Sequence, residues 1–179
     1  MNVELMLLTV LQGLRTQILD AGMLFFTHLG DAGFIWAALT AVLLVFRRTR
    51  RVGCVLAAAL LVDAVLCNLI LKPLVARIRP CDILADVQLL ISRPDDFSFP
   101  SGHTAASFAS VTALWLAGKK QWALAVLPLG VLIAFSRMYL FVHYPTDIIG
   151  GVLVGVGCGW IGAKLVEIFW QKNFAKSDL

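Results

Sequence analysis

Long apolar runs restrict the fold of this chain more than any other feature of its sequence. They occupy residues 32–46, 53–71, 101–118, 122–140 and 145–170, and the first has an interrupted start that reaches back towards residue 23. Each approaches the ~20 residues with which an α-helix crosses a bilayer core. Apolar residues make up 60% of the chain, against roughly half in soluble domains. The sequence therefore predicts an integral membrane protein, an all-α polytopic transmembrane helical bundle with five spans, formed by one domain over residues 1–179.

The first 30 residues are mixed in character. Apolar side chains such as Leu5, Leu8 and Leu11 recur at roughly helical spacing, but Glu4 and Arg15 are among the polar residues that break the run. An amphipathic helix lying in the membrane interface is the preferred interpretation of residues 1–30. A sixth span, bent and partly polar, is the alternative.

Basic residues are concentrated in three segments that fall on one face if the five spans alternate. These are Arg47, Arg48, Arg50 and Arg51, then Lys119 and Lys120, then Lys172 and Lys176. Cytoplasmic loops are enriched in Lys and Arg, so residues 72–100 and 137–147 are expected on the outer face. In a bacterium, this face of the inner (plasma) membrane is periplasmic or extracellular. The modest net charge of +4 favours membrane topology and anionic lipid over nucleic acid.

Three short motifs follow or precede these apolar runs, all on the expected outer face. They read Lys72-x6-Arg79-Pro80, Pro100-Ser101-Gly102-His103 and Ser136-Arg137-x5-His143-x3-Asp147. Arginine can bind two phosphate oxygens with its planar fork, and lysine adds a compact charge. Lys72, Arg79 and Arg137 are therefore candidate phosphate ligands. Basic side chains at span ends that extend towards water are the alternative for any one of them.

The second motif predicts a helix start that can bind an anion. Serine caps helices and proline favours their first turn, and glycine lets a ligand approach the backbone closely. Free backbone N–H groups at such a start attract phosphate. An ordinary capped helix is the alternative, but His103 in the first turn favours a site.

The third motif predicts a histidine oriented by a carboxylate. Pro145 places a helix start just after His143, so Asp147 falls one turn later and can hold one imidazole N–H. This arrangement leaves the other ring nitrogen free to act as a nucleophile. We therefore expect His143 to attack phosphorus and His103 to exchange protons with the leaving oxygen and with water. A capping Asp beside a surface His is the alternative.

The three motifs together resemble the type 2 phosphatidic acid phosphatase (PAP2) family, which shares its site with vanadium haloperoxidases. The resemblance covers residues 72–147 at motif level, with all eleven specified positions present. It implies an α-helical bundle, metal-independent hydrolysis without a cofactor, and a phosphohistidine intermediate. By motif match it implies phosphate ligands at Lys72, Arg79, Ser101, Gly102 and Arg137, and a catalytic set of His103, His143 and Asp147.

The leading functional hypothesis is a membrane enzyme that hydrolyses a phosphomonoester or diphosphate of a lipid. Candidate substrates are undecaprenyl diphosphate, phosphatidic acid, phosphatidylglycerophosphate and a phosphorylated lipid A. A non-catalytic protein that binds or transports a lipid phosphate is the alternative, since it would need the cations but not two histidines and a carboxylate. A haloperoxidase would share these residues but does not require membrane spans.

Overall fold

The computed structural model describes residues 3–84 and 86–174, and within these ranges the chain forms helices and no strand. A short 3₁₀ turn, Asp31–Gly33, joins the helix that ends at Gly30 to the helix that begins at Phe34. A π-helix, Ala64–Leu71, joins the helix that ends at Asp63 to the helix that begins at Lys72. The helices are α1 Val3–Gly13, α2 Gln17–Gly30, α3 Phe34–Val45, α4 Arg50–Asp63, α5 Lys72–Val75, α6 Pro80–Ile83, α7 Gly102–Leu116, α8 Lys120–Tyr139 and α9 Pro145–Phe174.

Four helical segments of the described chain are long and apolar enough to cross a membrane, which agrees with an integral membrane protein. They are Gln17–Val45, Arg50–Ile83, Lys120–Tyr139 and Pro145–Lys172. Helix α7 lies within the expected third span but has only 15 residues, so the count of five spans stays a prediction.

The first candidate span includes residues 17–30, which were expected in the membrane interface. Two features explain the difference. Thr16 caps α2 by accepting a hydrogen bond from the Leu19 amide, and Arg15 pairs with Asp20 at 3.2 Å. The polar residues that interrupt the apolar pattern thus neutralise each other at the start of the helix. Helix α1 is separate and packs Leu5 and Leu8 into a core cluster with Tyr139 and Leu140.

Helix α9 packs closely against α7 and α4 through glycines that face its neighbours. A Cβ on Gly155 would lie 2.3 Å from the carbonyl oxygen of Ala105, and one on Gly162 would lie 2.4 Å from the amide nitrogen of Ala59. Any larger side chain would separate these helices. Gly155 and Gly162 therefore allow the close packing of α9, whereas Gly157 faces open space.

The basic segments and the three motifs lie at opposite ends of α4, α7 and α9. Arg51 lies in the first turn of α4, Gly118 follows α7 and Lys164 lies in the second half of α9, and all three line one cavity of about 480 Å³. The motifs belong to the other ends of the same helices. Lys176, which was grouped with the basic segments, lies outside the described residues.

Candidate active site

The three motifs converge on a cavity of about 370 Å³ at the motif end of the bundle. The start of α5 supplies Lys72, the start of α7 supplies His103, and the end of α8 supplies Arg137. Six of the eight expected site residues line this cavity: Lys72, Arg79, Gly102, His103, Arg137 and His143. Ser101 and Asp147 are fully buried behind it.

Ser101 acts as the N-cap of α7, as its motif predicts. Its hydroxyl oxygen accepts hydrogen bonds from the Thr104 hydroxyl at 2.9 Å and the Thr104 amide at 3.5 Å. Its own amide donates to the carbonyl oxygen of Asp147 at 3.1 Å, which ties the start of α7 to α9. Contact between Ser101 and phosphate stays a prediction.

Lys72 and Arg79 share one carboxylate, that of Asp96. Arg79 Nη2 donates to Asp96 Oδ1 at 2.6 Å, and Lys72 Nζ pairs with Asp96 Oδ2. Both cations are buried, while the Asp96 side chain is 52% exposed. Partial burial would raise the pKa of Asp96, but the hydrogen bond and charge of Lys72 and the charge of Arg79 outweigh it and lower the pKa to about 2. Asp96 therefore presents two anionic oxygens to the same cations that a phosphate would use.

Arg137 is buried with one donor left without a partner. Its Nη1 donates to the Thr27 hydroxyl at 2.6 Å, but its Nε has no hydrogen-bond partner among the described residues. A buried donor without a partner is costly, and Arg137 borders the cavity. An anion in the cavity is the natural acceptor for it.

His143 is almost completely buried, and each ring nitrogen has a different neighbour. Arg79 Nη1 lies 3.1 Å from Nε2, and because a guanidinium only donates, Nε2 is the unprotonated nitrogen. Nδ1 lies 3.4 Å from Asp147 Oδ2, without the alignment of a formed hydrogen bond. Burial and the charges of Arg79 and Arg137 lower the pKa of His143 to about 3, against the opposing effect of Asp147. Its imidazole is therefore neutral near pH 7.

Asp147 is held by three donors that fix its orientation. Arg77 Nη1 donates to Oδ1 at 2.6 Å, while Oδ2 accepts from the Ser98 hydroxyl at 2.5 Å and the Tyr144 amide at 2.8 Å. Arg77 also lies 4.0 Å above the Tyr144 ring and donates to Glu4 at 2.6 Å. Sequence reasoning missed Arg77, Ser98 and Glu4, although Arg77 stands between the two cations of the first motif.

His103 also has a carboxylate partner, which the sequence analysis did not identify. Its Nε2 lies 3.0 Å from Asp31 Oδ1, and the second oxygen of Asp31 lies 2.8 Å from Nδ1 of His28. A neighbouring carboxylate therefore does not distinguish the two histidines, contrary to the sequence argument for His143 as nucleophile. Burial and the neighbouring Arg79 distinguish them. Ionisable residues inside an apolar run, such as Asp31, were the available signal.

The larger cavity at the opposite end of the bundle lacks the chemistry for phosphoryl transfer. Among the described residues that line it there is no histidine or cysteine. Its charged residues include Lys164 and Glu167, which pair with each other at 2.8 Å. The smaller cavity, where two histidines meet the buried cations, is therefore the candidate active site.

Comparisons with known proteins agree with this assignment. The sequence profile of the PAP2 superfamily matches residues 51–171. The undecaprenyl-diphosphatase of Sulfolobus acidocaldarius is 36% identical over 168 residues, which cover 93% of this chain and 78% of that protein. The matched region includes all three motifs.

Two crystal structures share the fold. Aquifex aeolicus LpxE superposes with a TM-score of 0.76 at 31% identity, covering 92% of this chain and 96% of that one. The first transmembrane PAP2-type phosphatidylglycerolphosphate phosphatase from Bacillus subtilis superposes with a TM-score of 0.74 at 26% identity, covering 95% and 85%. The chain therefore belongs to the PAP2 superfamily and is an integral membrane lipid phosphatase.

Proposed function

We propose that this protein hydrolyses a phosphomonoester or diphosphate of a membrane lipid through a phosphohistidine on His143. The observation that carries the proposal is the grouping of Lys72, Arg79 and Arg137 around one cavity into which both His103 and His143 open. Positioning and charge stabilisation are the main requirements of phosphoryl transfer.

Phosphate binding begins with displacement of Asp96. The non-bridging oxygens take the donors of Lys72 and Arg79 that Asp96 now occupies, and Arg137 Nε supplies the donor that lacks a partner. The backbone at Gly102, in the first turn of α7, adds N–H groups that favour an anion. Ser101 contributes by fixing that turn. A Cβ on Gly102 would lie 3.1 Å from Asn68 Oδ1 and 3.8 Å from Lys72 Nζ, so glycine keeps the space beside this cation free.

Two displacements at phosphorus then complete the reaction. Nε2 of neutral His143 attacks as Arg79 moves from this nitrogen to a phosphate oxygen, and the bond from phosphorus to the lipid oxygen breaks. His103 donates a proton to the departing oxygen. Water next attacks the phosphohistidine, the P–N bond breaks and His103 takes the water's proton. Asp147 holds Nδ1 of His143 and balances the positive charge that develops on the ring.

The substrate class is a lipid phosphate, with undecaprenyl diphosphate, phosphatidic acid, phosphatidylglycerophosphate and a phosphorylated lipid A as candidates. Similar proteins are named for undecaprenyl diphosphate and for phosphatidylglycerolphosphate, so similarity alone does not select one. Phosphate release from a panel of purified lipid phosphates, with and without chelator, tests the proposal. We expect one lipid to be hydrolysed fastest, with equal rates in chelator. Release by His103→Ala at the wild-type rate would contradict it.

We further propose that the site faces the outer side of a bacterial inner membrane. The basic segments at the opposite end support this orientation. Asp86 and Arg48 are exposed near the two ends and offer a matched pair for thiol labelling. In intact cells, a membrane-impermeant maleimide should label Asp86→Cys and should reach Arg48→Cys only after permeabilisation. The reverse pattern would contradict the orientation.

A further inference from the structure

The 3₁₀ turn between α2 and α3 brings a carboxylate to the candidate proton donor. Asp31 Oδ1 lies 3.0 Å from His103 Nε2 and Asp31 Oδ2 lies 2.8 Å from His28 Nδ1. Since a carboxylate only accepts, Nε2 of His103 carries a hydrogen. Nδ1 of His103 has no hydrogen-bond partner among the described residues and is the nitrogen left for the substrate.

The backbone around this turn is shaped for close approach. A Cβ on Gly30 would lie 2.7 Å from Cδ2 of the His103 ring, so only glycine lets the end of α2 reach the imidazole. The turn itself uses positive φ angles at Ala32 (50°) and Gly33 (70°). Asp31 is thus placed against His103 by local geometry as well as by charge.

The charges that face His103 come from three elements. Burial, Arg137 on α8 and Lys72 at the start of α5 oppose a positive charge on the imidazole, and Asp31 favours it. His28, on the far side of Asp31, is 62% exposed and shares the same carboxylate. Before a phosphate binds, Asp31 is therefore the anion in direct contact with His103.

We propose that Asp31 is a positioning residue that orients the His103 ring and, once a phosphate is bound, favours the protonated ring that gives its proton to the leaving oxygen. This rests on the proposed function. As the bond between phosphorus and the lipid oxygen breaks, the proton on Nδ1 of the His103 imidazolium moves to that oxygen. The ring becomes neutral and its Nε2–H stays on Asp31. In the second step, water returns a proton to Nδ1, so the cycle closes with no net proton uptake by the pair.

Asp31→Asn tests this role, because it keeps the size of the side chain and removes its charge. General acid–base catalysis contributes about 10²–10⁴-fold, and loss of its positioning residue should cost about 10- to 100-fold in kcat with KM nearly unchanged. Activity needs protonated His103, so the alkaline limb of the kcat profile should move to lower pH. Asp20→Asn is the matched control: it removes the same charge from α2, at the Arg15 pair, and should retain wild-type kinetics.

The leaving group provides the second readout. In rapid-quench measurements of the first turnover, an aryl phosphate, whose phenolate departs without much protonation, should be cleaved by Asp31→Asn almost as fast as by wild type. An alkyl lipid phosphate should be cleaved slowly. An equal loss on both substrates, or an unshifted alkaline limb, would overturn the role of Asp31. If His103→Ala is impaired while Asp31→Asn behaves as wild type, only this inference fails. If His103→Ala is itself fully active, the proposed function fails with it.

Discussion

The two histidines of the site differ in how their carboxylates are held. Asp147 is fully buried and fixed by Arg77, Ser98 and the Tyr144 amide. Asp31 lies on a turn with 53% of its side chain exposed, and its other oxygen goes to His28. Folding therefore fixes the geometry of His143, whereas the environment of His103 remains open to water. A nucleophile benefits from fixed orientation, and a proton donor benefits from exchange with its surroundings.

The groups that contact the rings of His143 and His103 also differ in charge. Nε2 of His143 accepts a hydrogen bond from Arg79, and the pKa of His143 is lowered to about 3, chiefly by burial. His143 is thus an unprotonated base ready to attack. Nε2 of His103 contacts the Asp31 carboxylate where Nε2 of His143 contacts a guanidinium, and this carboxylate favours a protonated ring against the effect of burial. The proposed division of roles is therefore the one expected from the sequence, but it rests on these contacts and not on the presence of a carboxylate.

Alanine at each histidine should give the largest effects and separate the two roles. His143→Ala removes the attacking atom, and we expect phosphate release to fall by about 10⁴-fold or more, since nucleophile and base act as one unit. His103→Ala should lose about 10²–10⁴-fold, the range of a general acid. Released phosphate is measured at saturating lipid. Near-wild-type turnover by His143→Ala would exclude it as the nucleophile.

Arg77→Ala should impair the orientation of His143 without removing a contact to phosphate. It removes a donor from Asp147 and one from Glu4, so Asp147 becomes free to rotate away from His143. We expect a loss of about 10- to 100-fold in kcat, in the range seen when a partner that orients a functional side chain is removed, with KM little changed. Lys164→Ala, which breaks an exposed ion pair at the opposite end, is the control. A change confined to KM would indicate that Arg77 binds substrate.

Asp96→Asn should improve substrate binding and leave both histidines unaffected. The carboxylate competes with phosphate for Lys72 and Arg79, so its neutralisation should lower KM by about 2- to 5-fold, a change typical of one partly exposed charge pair. Its neighbour Asp95 is exposed and does not line the cavity, which makes Asp95→Asn the control. A raised KM would show that Asp96 orients the cations instead of competing with the substrate.

The smallest expected effect is on stability in acid. Because the pKa of His143 is lowered to about 3 in the folded protein, unfolded chains take up a proton below about pH 6.5 that folded ones do not. The contribution of His143 to the free energy of unfolding is thus complete above about pH 6.5 and is lost as the pH falls towards 3. In detergent, the decrease in Tm between pH 7.5 and 4.5 should be smaller for His143→Gln than for wild type. Equal decreases would mean that His143 titrates normally.

Sequence patterns predicted the parts of this site that are encoded locally. The one-turn spacing of His143 and Asp147, the Pro145 helix start and the Ser101 cap all follow from adjacent residues. His103 and Asp31 are 72 residues apart and meet only because Gly30 allows α2 to approach α7. Pairing of Asp96 with both cations likewise depends on how the loop before α7 folds back. Such contacts depend on tertiary packing, which periodicity and motif spacing do not encode.

The membrane boundaries show the same limit. Apolar runs predicted the starts of the candidate spans at Arg50, Lys120 and Pro145 to within a few residues, but the first of these three continues to Ile83, beyond its predicted end at residue 71. At the N-terminus, Arg15 and Asp20 counted as polar interruptions, yet they pair with each other where α2 begins. A hydropathy scale scores each charged residue separately, so it does not register that two charged side chains form an ion pair.

Trapping of the phosphoenzyme tests the division of roles between the histidines most directly. The wild-type protein is mixed with a radiolabelled lipid phosphate and quenched in base within the first turnovers, since phosphohistidine survives base and is lost in acid. Peptide mass spectrometry then locates the label. We expect phosphate on His143 in wild type and in Asp31→Asn, and none in His143→Ala. Phosphate on His103, or labelling that persists in His143→Ala, would contradict the account.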